Sequence, residues 1–481
     1  MNKRGMTAVD FWRSVGTRFL PFADAASEAL PLGRLLRLSL FQFSVGMAAV
    51  LLTGTLNRVM ILEIGVPASL VAVMVALPFL FAPARALIGY RSDTYTSLLG
   101  WRRVPFIWFG TLTQFGGLAI MPFALLLLHS QTLGPEWLGP ASAGFAFMVT
   151  GIGIHMVQTA GLALATDIAP EETRPRVVAL VYMMLLVGMF VSAIVFSYFL
   201  AEFSPQRLIQ VVQGAAAATM ILNVIALWKQ EPRQPSVTSP DIERPSFAEA
   251  WALFREDRRS LRLLVAVGLG TLGFSMQDVL LEPYGGEILG LSVSQTTLLN
   301  AVFAAGTMAG FMIAGRMLGN GSDPHRLAAL GTLVGVIAFS AVIFSAPFNS
   351  ALLFRIGTAL IGMGGGMFAV GTLTACMDLA ENAGSGLALG AWGAVQACGI
   401  GIGLASGGII RDLGGQIAAS GSLGPVFADH ALGYSIVYHL EIGFLFAALI
   451  AIGPIVRRAS NNSDHTSTPP KKGIGLAELP G

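Results

Sequence analysis

The chain has 481 residues, 54% of them hydrophobic and 12% charged, and a net charge of +2. Soluble domains carry about 25% charged residues, so this composition excludes an ordinary soluble protein, and the near-neutral balance leaves no electrostatic footprint for nucleic acid. The two cysteines, Cys376 and Cys398, lie in apolar segments and read as small buried hydrophobes rather than a disulfide or metal site.

In chain order, residues 1–34 are polar and interrupted, without the apolar h-region of a signal peptide. Phe11, Trp12, Val15, Phe19 and Leu20, mixed with Arg13 and Arg18, suit either a short amphipathic helix on the membrane surface or a solvated tail. A membrane span needs about 20 apolar residues. Twelve such stretches follow: 36–57, 66–88, 104–128, 141–166, 177–201, 209–228, 261–282, 293–315, 326–346, 352–377, 387–410 and 433–456. They predict an all-α integral membrane protein. Its parts are an N-terminal tail (1–34), a six-helix bundle (35–228), a central loop (229–260), a second six-helix bundle (261–457) and a disordered tail (458–481).

With both termini and the central loop in the cytoplasm, only Arg58, Arg207, Arg355 and Arg411 of the 29 Lys and Arg fall outside. The positive-inside rule therefore selects that orientation.

The halves resemble each other. MVQTAGLALATDIAPE (156–171) aligns with MFAVGTLTACMDLAEN (367–382), pairing Met156 with Met367 and Asp167 with Asp378. LNRVMILE (56–63) aligns with MQDVLLEP (276–283), setting Asn57 on Gln277 and Arg58 on Asp278. Parallel six-helix halves joined by a long cytoplasmic loop resemble the major facilitator superfamily plan. In the loop after the second span, Gly89, Asp93, Arg102 and Arg103 resemble that superfamily's G-x-x-x-D…R-R motif, with a longer spacer. The same residues also read as an ordinary positive-inside loop.

Longer blocks narrow the resemblance. LPLGRLLRLSLFQFSVGMA (30–48), GTLNRVMILEIGVP (54–67), RSDTYTSLLGWRRVPFIWFG (91–110), GIHMVQTAGLALATDIAPEETRPRVVAL (153–180) and QDVLLEPYGGEILGLSV (277–293) resemble the bacteriochlorophyll delivery family. These are the PucC- and LhaA-type proteins of purple phototrophic bacteria. RFLPFADAASEALPL and TLNRVMILEIGVPA resemble the LhaA branch more than the PucC branch. The resemblance implies an assembly factor for light-harvesting antenna, chiefly the core complex around the reaction centre. It would handle or deliver bacteriochlorophyll, as cargo or transient ligand, while antenna polypeptides insert. Implied partners are those polypeptides, the reaction-centre core complex, and chlorophyll-synthesis or membrane-insertion machinery. The implied location is the bacterial inner, intracytoplasmic photosynthetic membrane. The alternative is a proton-coupled secondary transporter of an amphiphilic or lipid-like solute. No catalytic constellation or zinc spacing is evident, so no enzyme is expected.

Several residues are candidates for this work. Counting from residue 141 at about 1.5 Å per residue puts His155 about 21 Å into the fourth span. There a neutral imidazole can ligate a chlorin magnesium, hydrogen-bond between helices or relay protons. Gln158 and Thr159 share its helix face and can orient it. Gly151 and Gly153 leave room for a flat ring or a close helix. His439, near the outer end of the last span, reads as an interfacial residue or a second pigment contact. Asp167, Arg174 and Arg176 form the loop after the fourth span, either a salt-bridged closure or a docking surface.

Asp278 and Glu282 are four apart on the seventh span near its outer end, where like charges on one face repel. The repeat offers Arg58 as partner. The expectation is a clamp across the halves from Asn57, Arg58, Glu63, Gln277, Asp278, Glu282 and Tyr284. In it Arg58 pairs with Asp278 or Glu282, Glu63 competes, and Pro283 ends the helix. Separate contacts to interfacial water are the alternative.

Overall fold

In hydrocarbon every backbone N–H and C=O needs a partner within the protein, so long apolar runs fold as helices. A computed structural model describes residues 30–80, 88, 92, 101, 103–129, 135–170, 174–231, 258–380, 385–420 and 431–463. Among them, eleven helices are long and apolar enough to cross a membrane, and one shorter apolar helix completes the twelve expected spans.

The first half comprises α1 (Leu32–Glu63), α2 (Ala68–Leu80), α3 (Val104–His129), α4 (Leu138–Ile168), α5 (Arg174–Phe199) and α6 (Pro205–Leu227). The second comprises α7 (Arg258–Ser275), a short α8 (Leu281–Glu287), α9 (Val293–Gly319), α10 (Pro324–Ser345), α11 (Ala351–Ala380), α12 (Ser385–Ser420) and α13 (Leu432–Ser463). The seventh expected span is thus two helices, α7 and α8.

Some boundaries differ from expectation. Helix α1 begins at Leu32, inside the expected tail, while the proposed amphipathic segment and most of the central loop lie outside the described residues. Helix α13 continues to Ser463, so residues 458–463 are helical rather than disordered. The sequence gives a reason: neither proline nor glycine follows Pro454 until Pro469.

The apolar cores are distributed unequally. At the end carrying Glu63, Glu287 and Leu432, one cluster draws on both halves. It includes Leu51, Leu56 and Met60 of α1, Val71 of α2, Met276 and Leu280 beside α7, Leu404 of α12 and Tyr438 of α13. At the opposite end the clusters stay within one half. Leu35, Ile107, Leu164 and Val177 form one in the first half, and Leu263, Cys376 and Ile455 form another in the second. Helix α2 packs on α12, and α5 on α9, to join the halves. Ser69 N donates to Asp412 Oδ2 at 2.7 Å, and the Ser197 and Ser294 hydroxyls are 2.9 Å apart across the same join.

Small residues allow the closest approach. A Cβ on Gly408 of α12 would collide with Ala68 and Ala72 of α2, whereas Gly443 of α13 faces open space. Overpacking a tight contact costs about 1–3 kcal/mol. Gly408→Ile should therefore lower the melting temperature in detergent and Gly443→Ile should not, as read by tryptophan fluorescence.

Candidate functional site at the join of the halves

The seventh span breaks where it meets α1. Helix α7 stops at Ser275, a 3-10 turn covers Met276–Val279, and α8 begins at Leu281. Such a break strands backbone groups that the bilayer cannot satisfy. Two side chains take them up. Glu441 Oε1 of α13 accepts from Gln277 N at 2.6 Å. Asn57 Nδ2 of α1 donates to Val279 O at 3.2 Å. The second bond crosses between the halves.

Helix α1 is itself irregular at this level. Val50–Thr55 and Val59–Glu63 are π-helical, flanking the single α-turn Leu56–Arg58. Widened turns of this kind accompany functional sites. Here they carry Thr55, Asn57 and Arg58 onto the second half. The Thr55 and Thr297 hydroxyls lie 3.2 Å apart across the join. Gly54 lies against Glu282 and Asn300, where a Cβ would strike both side chains. Glu282 is buried and accepts from the Asn300 amide at 2.5 Å.

The clamp expectation needs correction in its partners. Arg58 Nη1 is 2.7 Å from Glu63 Oε1, and Arg58 Nη2 donates to Leu291 O at 3.3 Å. Arg58 therefore crosses the halves to a backbone carbonyl, while its ion pair stays within α1. Among the described residues no ion pair joins it to Asp278 or Glu282, although it lies within electrostatic range of Glu282. Asp278 accepts instead from the Gln277 amide. The reason is the helix break. Positions four apart share a face only on a continuous α-helix, but Asp278 sits on the 3-10 turn and Glu282 on the next helix.

Pro283 does not end the helix either. It lies in the first turn of α8, where a missing N–H costs nothing, and the helix runs on to Glu287. Tyr284 packs against partners in the second half. Its ring packs on Phe354, Tyr434 and Tyr438 with centroids 5.3–5.4 Å apart, and its hydroxyl donates to Val342 O at 3.2 Å.

His155 is deeper than the residue count implied, because α4 starts at Leu138, about 26 Å away along the helix. It is 8% exposed and meets the Phe79 ring edge-on at 5.9 Å. The neighbouring glycines serve close helices: Gly151 abuts Pro78 of α2, and Gly153 abuts the Gln114 backbone of α3. Gln158 Nε2 reaches Gln42 Oε1 of α1 at 3.5 Å. Thr159 is half-buried on the same helix. His439 lies on the exposed face of α13, while Glu441, two residues on, is fully buried.

At the opposite end, Arg103 Nε donates to Asp167 Oδ2 at 2.9 Å and Nη1 to Ser92 Oγ at 2.6 Å. The structure thus joins two motifs far apart in the sequence. Gly89, Asp93 and Arg102 lie outside the described residues. Arg174 and Arg176 fall in the first turn of α5 rather than before it, their side chains outside the described set.

Sequence reasoning missed two parts of this architecture. Glu231 Oε2 accepts from Val104 N at 2.8 Å and Oε1 from Arg103 N at 2.9 Å, capping α3. A buried chain also runs from Ser44 through Asn223 to Thr111, at 2.8 and 3.0 Å. Lone polar residues in apolar spans were the available signal for that chain.

Comparisons with known proteins define the class first. The fold matches the inward-facing, unoccupied structure of a bacterial homologue of the human lysosomal transporter Spinster. The TM-score is 0.65 at 15% identity, over 90% of this chain and 96% of that one. The architecture is that of the major facilitator superfamily.

Within it, residues 55–460 match the PUCC protein family, and the chain belongs to that family. It is 57% identical over 418 residues to Protein PucC of Rhodovulum sulfidophilum, covering 86% of this chain and 92% of that one. It is 56% identical over 470 residues to a Rhodobacter capsulatus protein described as "Uncharacterized protein in puhA-bchM intergenic region", covering 97% and 98%. A more distant relative, the Bacteriochlorophyll synthase 44.5 kDa chain of Rhodobacter capsulatus, is 28% identical over 89% of this chain and 96% of its own length.

Double-mutant cycles test the local pairing. Arg58→Ala combined with Glu63→Ala should show a coupling of about 1 kcal/mol, and Arg58→Ala with Asp278→Ala less than about 0.5 kcal/mol. Unfolding in mixed micelles gives both values. Likewise, Arg103→Ala should destabilise the protein by about 1–3 kcal/mol by leaving Asp167 and Ser92 without their donor. Arg103→Lys should recover only part of that loss, because one ammonium cannot span both partners.

Proposed function

We propose that this protein is an assembly factor for light-harvesting antenna, handling bacteriochlorophyll while antenna polypeptides enter the membrane. The observation that carries the reading is identity above half, over nearly the whole chain, with relatives from photosynthetic bacteria. The relative named as a bacteriochlorophyll synthase chain supports a pigment as cargo. The proposal extends to the LhaA branch and the core antenna, on the blocks RFLPFADAASEALPL and TLNRVMILEIGVPA. The partners are then the antenna polypeptides and the reaction-centre core complex in the bacterial inner membrane.

A second reading, proton-coupled secondary transport of an amphiphilic or lipid-like solute, is favoured by one observation. Glu282 Oε2 and Glu441 Oε2 are buried near the join without hydrogen-bond partners. Intramembrane acids of this kind mark proton relays.

Deleting the gene in a phototrophic host that makes both antennae should lower core-antenna absorbance several-fold and spare the peripheral antenna. A plasmid copy should restore it. Unchanged antenna would overturn the assembly reading, and loss of the peripheral antenna alone would overturn the LhaA assignment. Under the transport reading, the purified protein would exchange an amphiphile in liposomes along a pH gradient, and Glu282→Gln would abolish it.

A further inference from the structure

The last helix has two contrasting faces. Tyr434, Tyr438, Glu441, Leu445, Ala448 and Ile452 are buried against the second half. His439, Gly443, Phe446 and Ile450 recur every three or four residues on the opposite face, and all are exposed. This stripe points away from the join, toward the surrounding lipid. An imidazole in such a stripe needs an explanation, because a polar nitrogen facing hydrocarbon is costly.

The local geometry fixes the ring. His439 Nδ1 is 2.7 Å from the backbone oxygen of Ser435, one turn earlier. A carbonyl only accepts, so Nδ1 carries the hydrogen. In the neutral ring the lone pair therefore resides on Nε2, directed away from the helix backbone. This is the arrangement that a metal-ligating histidine requires, one nitrogen anchored to a carbonyl and the other offered as ligand. Beside it lies a recess of about 420 Å³ lined by Leu432, Ser435, Ile436, His439 and Leu440. The recess is shallow and open on its outer side, so a ligand would lie along the helix rather than inside it. Its walls are otherwise mostly apolar.

The setting restricts the ligand. A hydrated cation would need several polar donors, and among the described residues no group of three or more His, Cys, Asp or Glu is placed to hold a metal. A single nitrogen on an apolar wall suits a metal whose other positions are already filled by an apolar macrocycle.

We propose that His439 Nε2 is an axial ligand for a magnesium tetrapyrrole held on the lipid-facing side of α13, outside the join of the two halves. The inference deepens the pigment-handling reading and rests on it. It moves the cargo from the interior to the rim. Leu432 starts the helix about 10 Å from His439, so the ring would lie within the adjacent leaflet. Cargo on that face can pass laterally to another membrane helix without crossing the bilayer.

The full-length protein in lipid nanodiscs is titrated with bacteriochlorophyll a and with its magnesium-free counterpart, bacteriopheophytin a. Bound pigment is read by absorbance. The wild type should prefer the magnesium pigment by about tenfold or more, an effect of the size that ligand-shell changes produce. His439→Ala should bind both pigments equally and still bind the magnesium-free one as the wild type does, which shows that the fold is intact. His155→Ala should keep the preference. If His155→Ala abolishes the preference and His439→Ala keeps it, the site is interior and the proposal is overturned. Equal wild-type binding of both pigments overturns axial ligation but leaves pigment handling standing. No binding of either pigment overturns both. Should His439→Ala instead keep the preference but lose co-purifying antenna polypeptide, Nε2 serves a partner helix and the pigment site falls.

Discussion

The structure depends on how a broken helix is tolerated inside a membrane protein. Met276 to Leu280 leave the α-helical ladder, and water is not available to repair it. Glu441 accepts the Gln277 N–H, and Asn57 donates to the Val279 carbonyl. One repair comes from the same half and the other from the opposite half. The break and the join are therefore one feature, and α1 docks where α7 lacks a donor. The π turns of α1 belong to the same arrangement, since they flank the single turn that carries Asn57 and Arg58, with Thr55 just before it.

Charge at the join follows from that geometry. A guanidinium buried between halves needs several acceptors, and Arg58 finds a carboxylate within its own helix and a carbonyl across the gap. Glu282 is served by Asn300 rather than by a cation. Among the described residues no ion pair crosses the join, which is held by hydrogen bonds and apolar packing. Neutral contacts can part at lower desolvation cost than a buried ion pair.

Much of the fold was legible because hydropathy and loop charge are one-dimensional signals. The all-helical membrane fold and the family both survive, although the seventh span is two helices rather than one. The Arg58 environment was legible only in part. The repeat correctly set Arg58 and Asn57 opposite the seventh span, but side-chain pairing required knowing that the span breaks. No proline or glycine sits between Ser275 and Leu280 to announce the break; Gly273 precedes it, and Pro283, Gly285 and Gly286 follow it. The break is imposed by tertiary partners, Glu441 and Asn57, that are remote in sequence. Glu231 capping α3 was illegible for the same reason. The pairing of Arg103 with Asp167 joins two loops that sequence reasoning had treated separately.

The unequal distribution of apolar cores also bears on biogenesis. Leu35, Ile107, Leu164 and Val177 close a core within the first six spans, so that half can consolidate while the second is still being synthesised. Thr55, Asn57 and Arg58 cannot be satisfied across the join at that stage, because their partners Thr297, Val279 and Leu291 have not yet been made. For that interval the nascent chain holds a polar patch at membrane depth, and lipid, water or an insertion factor must shield it. Synthesis of α7 to α9 therefore does more than add helices, because it supplies those partners. The join is complete only once α12 has been made as well, because α2 packs on it and Ser69 bonds to Asp412.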